Sequence, residues 1–399
     1  MRLLVISWLP LDPVDSRYKN RVVGLYTPLV DKCDLLILSP PPGPSRLPWE
    51  PLLSAQSPVQ PGIGKVAWQS IRQTFSHEFR QSILQKAKEF EPDFILAEGL
   101  WSAGGAHQAS HELKVPWGVS VDDSRPGFAG GILSLPFPSP LWFYAKHLYR
   151  HADRLFTTTV EEACRLQKAL QPRPPRISVI PHGTHLARMV SEESIGQWKS
   201  NWHIYEGEKI GLFVGRLDYG PNRRGLEWFS KKVIPHIGEL PFHIRWLAAG
   251  IPEPETPIPP FEFIGYVEDL DLVLAAADLC IAPKLSGGGT SIKVLDYLGA
   301  GCPVIATPKA ALGLPVEPDK HLLVSDNPEE FSRYIRMVLF DQEVARKLGS
   351  EGRDLIAQDM IWEKIAERML RECSRSLGLH GPVFDLDESS KSQGDEVGD

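Results

Sequence analysis

Three consecutive glycines, Gly287, Gly288 and Gly289, run into Thr290 and Ser291, and a lysine and an aspartate follow at Lys293 and Asp296. Glycines let a backbone approach a ligand closely, and threonine and serine suit the start of a helix. The N–H groups at such a start point outward and carry partial positive charge, an arrangement that holds a phosphate. Lys293 and Asp296 lie three residues apart and so share a side of that helix. The cation can touch a phosphate, and the carboxylate can accept both hydroxyls of a ribose. A glycine-rich turn before a solvent-facing Lys–Asp pair is the plain alternative, and a glycine loop alone does not decide between them.

The flanking pattern supplies the elements that would position these groups. Leu279 to Pro283 is a short apolar run that fits a buried strand. Ile292, Leu295 and Leu298 fall on one helical face, Gly299 and Gly301 stop the helix, and Pro303 opens another apolar run to Thr307. The result is a βαβ unit with its glycine loop at the carboxyl end of the first strand.

A second loop carries charge. After the apolar run 210–215 come Arg216, Leu217, Asp218, Tyr219, Gly220, Pro221, Asn222, Arg223 and Arg224. Asn222 can cap the next helix, whose Leu226, Phe229 and Val233 make an apolar stripe. Arginines here can neutralise a diphosphate through paired hydrogen bonds, Arg216 first because it directly follows the strand; a solvated basic loop is the ordinary alternative. In the first half, Glu98, Asp122 and Asp123 stand at or just past strand ends, and Asp15 to Arg21 fills the first strand-to-helix loop. Each of these fits a cleft or an ordinary cap.

Three further groups invite a bland reading. His107 and His111 are an i, i+4 pair without an evident third ligand, so no metal is expected. His182 and His185 flank Gly183 after the last strand of the first half, where a hinge is expected, and read as structural. Trp142, Phe143 and Tyr144, followed by Lys146 and Arg150, allow peripheral membrane contact, although packing of a helix explains them more simply.

At 399 residues the chain calls for two domains. A net charge of −7 without a basic block speaks against a nucleic-acid partner. Five scattered cysteines without metal-like spacing suggest reduced thiols and a cytoplasmic location. The N-terminal apolar run has no small-residue cleavage site after it and reads as a first strand, and no run is long enough to span a membrane. Apolar runs at 3–7, 35–39, 94–98, 117–121, 154–159 and 177–181 alternate with helical patterns at 68–90, 102–113, 141–151 and 160–170. A second series has runs at 210–215, 243–249, 261–265, 279–283 and 303–307, and the polar stretch 185–208 between the two is mostly helical in pattern. The alternation predicts two parallel α/β sheets with a cleft between the carboxyl ends of their strands. Pro40 to Pro61 reads as a long surface loop, and the polar, acidic residues after 380 read as a disordered tail.

With both halves in view, the chain resembles a two-domain GT-B glycosyltransferase, closest to the large retaining family often numbered four. The segments HADRLFTTTVEEACRL, ISVIPHG, FVGRLDYGPN, FIGYVEDLDLVLAAADLCIAP and SGGGTSIKVLDYLGAGCPVIAT carry the likeness. It implies a Rossmann-like acceptor-side domain over 1–185 and a Rossmann-like donor domain over 186–368. A helix over 369–380 would cross back to the first domain, ahead of a tail at 381–399, and Trp362 lies in the segment similar to that crossing. It also implies transfer of a sugar from a nucleotide-diphosphate donor with retention, without a metal and without a cofactor beyond the donor.

Residue by residue, the resemblance makes Arg216 a contact of the diphosphate, and puts Arg223 or Arg224 roughly where a second cation, usually lysine, stands. Asp296 takes the place of the ribose carboxylate, normally glutamate, while Gly265, Tyr266 and Val267 border the base. Gly287, Gly288, Gly289 and Thr290 line the phosphates, and Arg216, Lys293 and Asp122 are the residues expected to act on the reacting groups. Two positions depart from the family: Gly288 replaces its first glutamate, and Asp122 and Asp123 stand where it often has a histidine. The acceptor is open among a glycan, a lipid-linked glycan and a small molecule. A non-catalytic GT-B binding protein and a sugar-nucleotide epimerase are the alternative readings.

Overall fold

A computed structural model describes residues 1–12, 17–44, 47–52, 76–121, 140–287 and 290–378. Asp15, Asp122, Asp123, Gly288 and Gly289 lie outside the described residues, as do residues 53–61 of the proline-rich segment and the tail from 381.

The first sheet contains β1 (Arg2–Ser7), β2 (Asp34–Ser39), β3 (Trp49–Pro51), β4 (Phe94–Glu98), β5 (Trp117–Val121), β6 (Arg154–Thr157) and β7 (Arg176–Val179), in the order β3-β2-β1-β4-β5-β6-β7. The second contains β8 (Lys209–Val214), β9 (Ile244–Ala249), β10 (Phe261–Gly265), β11 (Leu279–Ala282), β12 (Val304–Ala306) and β13 (Leu323–Val324), in the order β10-β9-β8-β11-β12-β13. Every pairing is parallel. Parallel neighbours need long crossovers, and the helices that provide them cover both faces of the sheet. That is why the central strands read as unbroken apolar runs, Leu3 to Ile6 being fully buried.

Both sheets reverse their strand order once. The chain leaves β1 for β2 on one side and comes back on the other as β4; in the second sheet it does the same around β8, returning as β11. Loops diverge at such a point and leave a crevice outside the carboxyl ends of the strands.

Two strands go beyond the sequence expectation. β3 lies inside the proline-rich stretch and β13 has two residues, both too short to carry a period. The helix expected over 68–90 is described from His77 to Phe90, capped by Ser76, whose Oγ accepts from the Phe79 N–H at 3.3 Å. Within 185–208 the regular element is the helix Glu192–Asn201.

The chain crosses between the sheets twice, and the two crossings bond to each other. The Thr184 N–H donates to the Met360 carbonyl at 2.9 Å, and the Trp362 N–H donates to the Thr184 carbonyl at 3.2 Å. The returning helix is Trp362–Arg375, so its first half precedes residue 369. It docks on the first domain through Arg154 and Glu372 at 2.7 Å, with Ser178 Oγ donating to the same carboxylate at 2.8 Å. Lys32 and Glu367 form a second pair there.

Trp362, 2% exposed, fills the junction. A side chain at Gly24 would come within 2.4 Å of its ring, and one at Gly183 within 2.8 Å, so both positions need glycine to admit the indole. Through Ile180, Trp362 and Ile365, the core beneath the first sheet continues to Leu295 and Leu298 beneath the second. Trp362→Ala should therefore cost about 3–5 kcal/mol in urea unfolding. A loss below about 1 kcal/mol would show that other contacts hold the junction.

Candidate functional site

At the second reversal, β8 and β11 lie side by side with Gly211 opposite Leu279 and Leu212 opposite Cys280. Their exits form a small cleft lined by Phe213, Asn222, Pro283, Lys284, Ser291 and Lys293. Lys293 sits in the first turn of the helix Ile292–Gly299. Its Nζ donates to Asn222 Oδ1 at 3.0 Å and lies 3.7 Å from the centre of the Phe213 ring. Asn222 Nδ2 in turn donates to the Arg216 carbonyl at 2.7 Å. One amide thus ties the exit of β8 to the helix that follows β11. A side chain at Gly215 would meet Lys293 Nζ at 2.7 Å, so glycine is what lets the ammonium lie against the strand end.

Burial, and then the charge of Lys284, holds the Lys293 ammonium well below the ordinary lysine value, with Asp296 opposing both. An anion entering the cleft would restore the charged form. Nearby, Thr290 is 7% exposed and its buried Oγ1 has no hydrogen-bond partner among the described residues. Such a hydroxyl at a helix start suits a ligand oxygen.

The three arginines each have a different partner. Arg216 is exposed and makes two bonds to Asp218, Nε to Oδ1 at 3.0 Å and Nη2 to Oδ2 at 2.6 Å. That pairing holds the Asp218 carboxyl below its usual range. Arg223 lies along its own helix, bonded to Glu227 at 3.0 Å. Arg224 reaches the glycine loop and donates to Ser286 Oγ at 2.9 Å, beside Gly287 with its left-handed φ of +94°. Of the two candidates for a second cation, Arg224 is the one that contacts the glycine loop. A diphosphate would have to draw Arg216 away from Asp218.

Asp296 is held by the first crossing. Its Oδ1 accepts from Thr184 Oγ1 at 2.6 Å, whereas Lys293 faces Asn222 and Phe213. Burial pushes the Asp296 carboxyl up to about 6, against the lowering effect of the Thr184 bond; Asp271 raises it further and Lys293 lowers it. Gly265, Tyr266 and Val267 leave β10 at the far edge of the same sheet end. Gly265 has a φ of +70° and accepts from the Gly250 N–H at 2.8 Å, Tyr266 is exposed, and Val267 packs on the core.

In the first domain, Glu98 is buried at the end of β4 and accepts from the Tyr26 hydroxyl. Arg21 is buried too, and its guanidinium donates to the carbonyls of Ile180 and Pro181 at 2.8 and 2.9 Å, which braces the crossing. His182 is buried within that crossing and His185 is exposed. His107 gathers His147 and His151, with ring centres 6.2 and 5.7 Å away, and burial followed by these neighbours lowers its value. No group of three or more His, Cys, Asp or Glu among the described residues is placed to hold a metal.

The aromatic helix is Pro140–His151. Phe143 is exposed, Lys146 lies over Trp142 at 4.6 Å, Tyr144 packs on the core, and Arg150 donates to the Leu170 carbonyl at 3.1 Å. No helix among the described residues is long and apolar enough to cross a membrane. Sequence reasoning missed two residues of the site. Asn222 read as a helix cap, yet Tyr219 occupies the cap position and Asn222 bridges the two loops. Thr184 sits between the two noticed histidines and gave no signal of its own.

Two Rossmann-like sheets joined by a returning helix, with a lysine-lined cleft at the second reversal, define a GT-B protein. Residues 21–183 match the family described as glycosyl transferase 4-like domain, and residues 208–341 match the family described as glycosyl transferases group 1. The chain belongs to the group 1 glycosyltransferases and is an enzyme of that class. Its fold is similar to that of sucrose-phosphate synthase from Thermosynechococcus elongatus, with a TM-score of 0.72 at 17% identity over 95% of this chain and 100% of that one. It is also similar to HepE of Anabaena, solved in complex with UDP, with a TM-score of 0.68 at 16% identity over 94% of this chain and 100% of that one. In sequence it is 24% identical over 315 residues to a Streptomyces collinus enzyme, covering 72% of this chain and 76% of that protein. The latter is the UDP-N-acetylglucosamine–N-acetylmuramyl-(pentapeptide) pyrophosphoryl-undecaprenol N-acetylglucosamine transferase.

The raised value of Asp296 has a cost in stability. The fold favours the neutral carboxyl, so its stabilising contribution is full below the ordinary value of 3.8 and is lost as pH rises through about 6. Asp296→Asn resembles the protonated state, and thermal unfolding should show it more stable than wild type by about 1–2 kcal/mol near neutral pH, after allowance for partial exposure. Near the ordinary aspartate value the difference should vanish. A constant difference across that range would mean that the carboxyl is not raised.

Proposed function

We propose that this glycosyltransferase moves a sugar from a nucleotide-diphosphate donor, with UDP as the nucleotide to test first, to an acceptor with retention at the anomeric carbon and without a metal. The observation that carries this reading is the cradle between β8 and β11, where Lys293, Asn222 and the Arg216 backbone form one bonded unit at a helix start. UDP comes first because HepE is solved with UDP and with UDP-glucose, and because the Streptomyces collinus relative is named for a UDP-sugar. Retention follows the resemblance to the family. Five free thiols suit a reducing compartment such as the cytoplasm.

In this reading the protein works on the leaving group. As the bond from the sugar to the diphosphate breaks, negative charge grows on the diphosphate oxygens. Lys293, the N–H groups at the start of its helix and the buried hydroxyl of Thr290 meet that charge at fixed positions, so little rearrangement is needed as the reaction proceeds. Arg216 adds a second cation once it exchanges Asp218 for the diphosphate. Fixed cations of this kind can take the place of a divalent ion. Asp296 orients the ribose, and Asp122, which the resemblance assigns to the reacting sugar, lies outside the described residues.

The test supplies UDP-glucose and UDP-N-acetylglucosamine, follows UDP release by phosphorus NMR and reads the anomeric configuration of the product by proton NMR. Turnover should persist in EDTA, and Arg216→Ala should lower kcat/KM by about 10²–10³-fold. An altered sugar nucleotide instead of a transfer product would favour the epimerase reading. Loss of turnover in EDTA with recovery on adding magnesium would overturn the metal-free mechanism.

A further inference from the structure

Thr184 connects three segments at once. Its backbone joins the two crossings, through Met360 on one side and Trp362 on the other, and its hydroxyl binds the Asp296 carboxylate of the helix that carries Lys293. The linker then runs along the end of that helix. The Ala187 N–H donates to the Gly299 carbonyl at 3.2 Å, and a side chain at Gly299 would meet the His185 carbonyl at 2.8 Å. Arg353 closes the arrangement by donating to the carbonyls of Gly299 and Ala187 at 2.8 and 3.0 Å.

We propose that Thr184 is a positioning residue for the donor nucleotide: by donating to one oxygen of Asp296 it keeps the carboxylate ionised and turned so that the other oxygen receives the ribose hydroxyls. This rests on the donor-site reading above. Only an ionised carboxylate is a pure acceptor, and a protonated one would offer a donor where two hydroxyls must be accepted. Asp296 lies where burial favours protonation, and Asp271 on the helix Leu270–Ala276 adds a like charge. That second carboxylate is itself bound by the Arg188 N–H at 3.1 Å. Two groups act in the other direction: Lys293 on the same helix, which is directed to Asn222, and the Thr184 hydroxyl at 2.6 Å. A hydrogen bond to the ionised form favours it, so the linker between the domains sets the charge of a residue in the donor site. Because Thr184 also holds the returning chain, a shift of the crossing would release Asp296, which ties nucleotide affinity to the arrangement of the domains.

The experiment measures UDP-glucose affinity by calorimetry from about pH 5 to about pH 8.5, a range across which the diphosphate diester of the probe does not titrate. The wild type should lose affinity as pH falls through about 6, the value of Asp296. In Thr184→Val the loss should begin about one to two pH units higher, the equivalent of a hydrogen bond to a charged group. Thr184→Ser should restore the wild-type profile, and Thr184→Ala repeats the test if valine disturbs folding. Carbon NMR titration of the Asp296 carboxyl in the free protein should show the same displacement without any nucleotide. Coincident profiles and titrations in wild type and Thr184→Val, with both proteins binding the probe, would overturn the inference and leave the donor site standing. Failure of the wild type to bind UDP-glucose at any pH would overturn the donor-site reading and this inference together.

Discussion

The reversal of strand order at β8 is the constraint on which the site depends. Everywhere else in the second sheet, successive strands are laid down on the same side of their predecessor. Between β8 and β11 the crossovers leave in opposite directions, so the exits of these two strands border a small cleft. Whatever fills that crevice must satisfy helix N–H groups and tolerate buried charge. This chain places a lysine there, with one amide and one aromatic ring for company. An ammonium in that setting is poorly solvated, which is a poor choice for stability and a good one for receiving a diphosphate.

The second organising feature is the junction. A protein of two sheets joined by one linker could flex freely, but here the linker and the returning chain are bonded to each other and wrapped around Trp362. The helix after β11 leans on this junction through Asp296 and Gly299. The helix that carries Lys293 and the domain crossing therefore share contacts. In the proposed coupling, one hydrogen bond, Thr184 to Asp296, links the two.

Much of this was legible in the sequence for a simple reason. Strands buried on both faces must be apolar throughout, so β1, β4, β8 and β11 stand out as unbroken runs, and the glycine cluster after β11 marks the loop. β3 and β13 escaped because three and two residues carry no period. The helix expected from 369 begins at Trp362 because the tryptophan that plugs the junction is also its first residue. The side-chain partners were less accessible. Arg216 and Asp218 are two residues apart, and their pairing depends on rotamers in an exposed loop. Thr184 and Asp296 are 112 residues apart, and only the folded crossing brings them together. Residue types and loop positions were readable; which group turns toward which was not, because that depends on contacts between elements distant in the chain.

The central claim is that the crevice between β8 and β11 holds the diphosphate of the donor. A crystal structure of the protein with UDP tests it most directly. The account predicts the diphosphate at the start of the helix Ile292–Gly299, within hydrogen-bond reach of Lys293 Nζ and Thr290 Oγ1, with Arg216 turned from Asp218 toward it. UDP bound elsewhere on the chain, or a crevice that stays empty at saturating UDP with the Arg216–Asp218 pair intact, would contradict it.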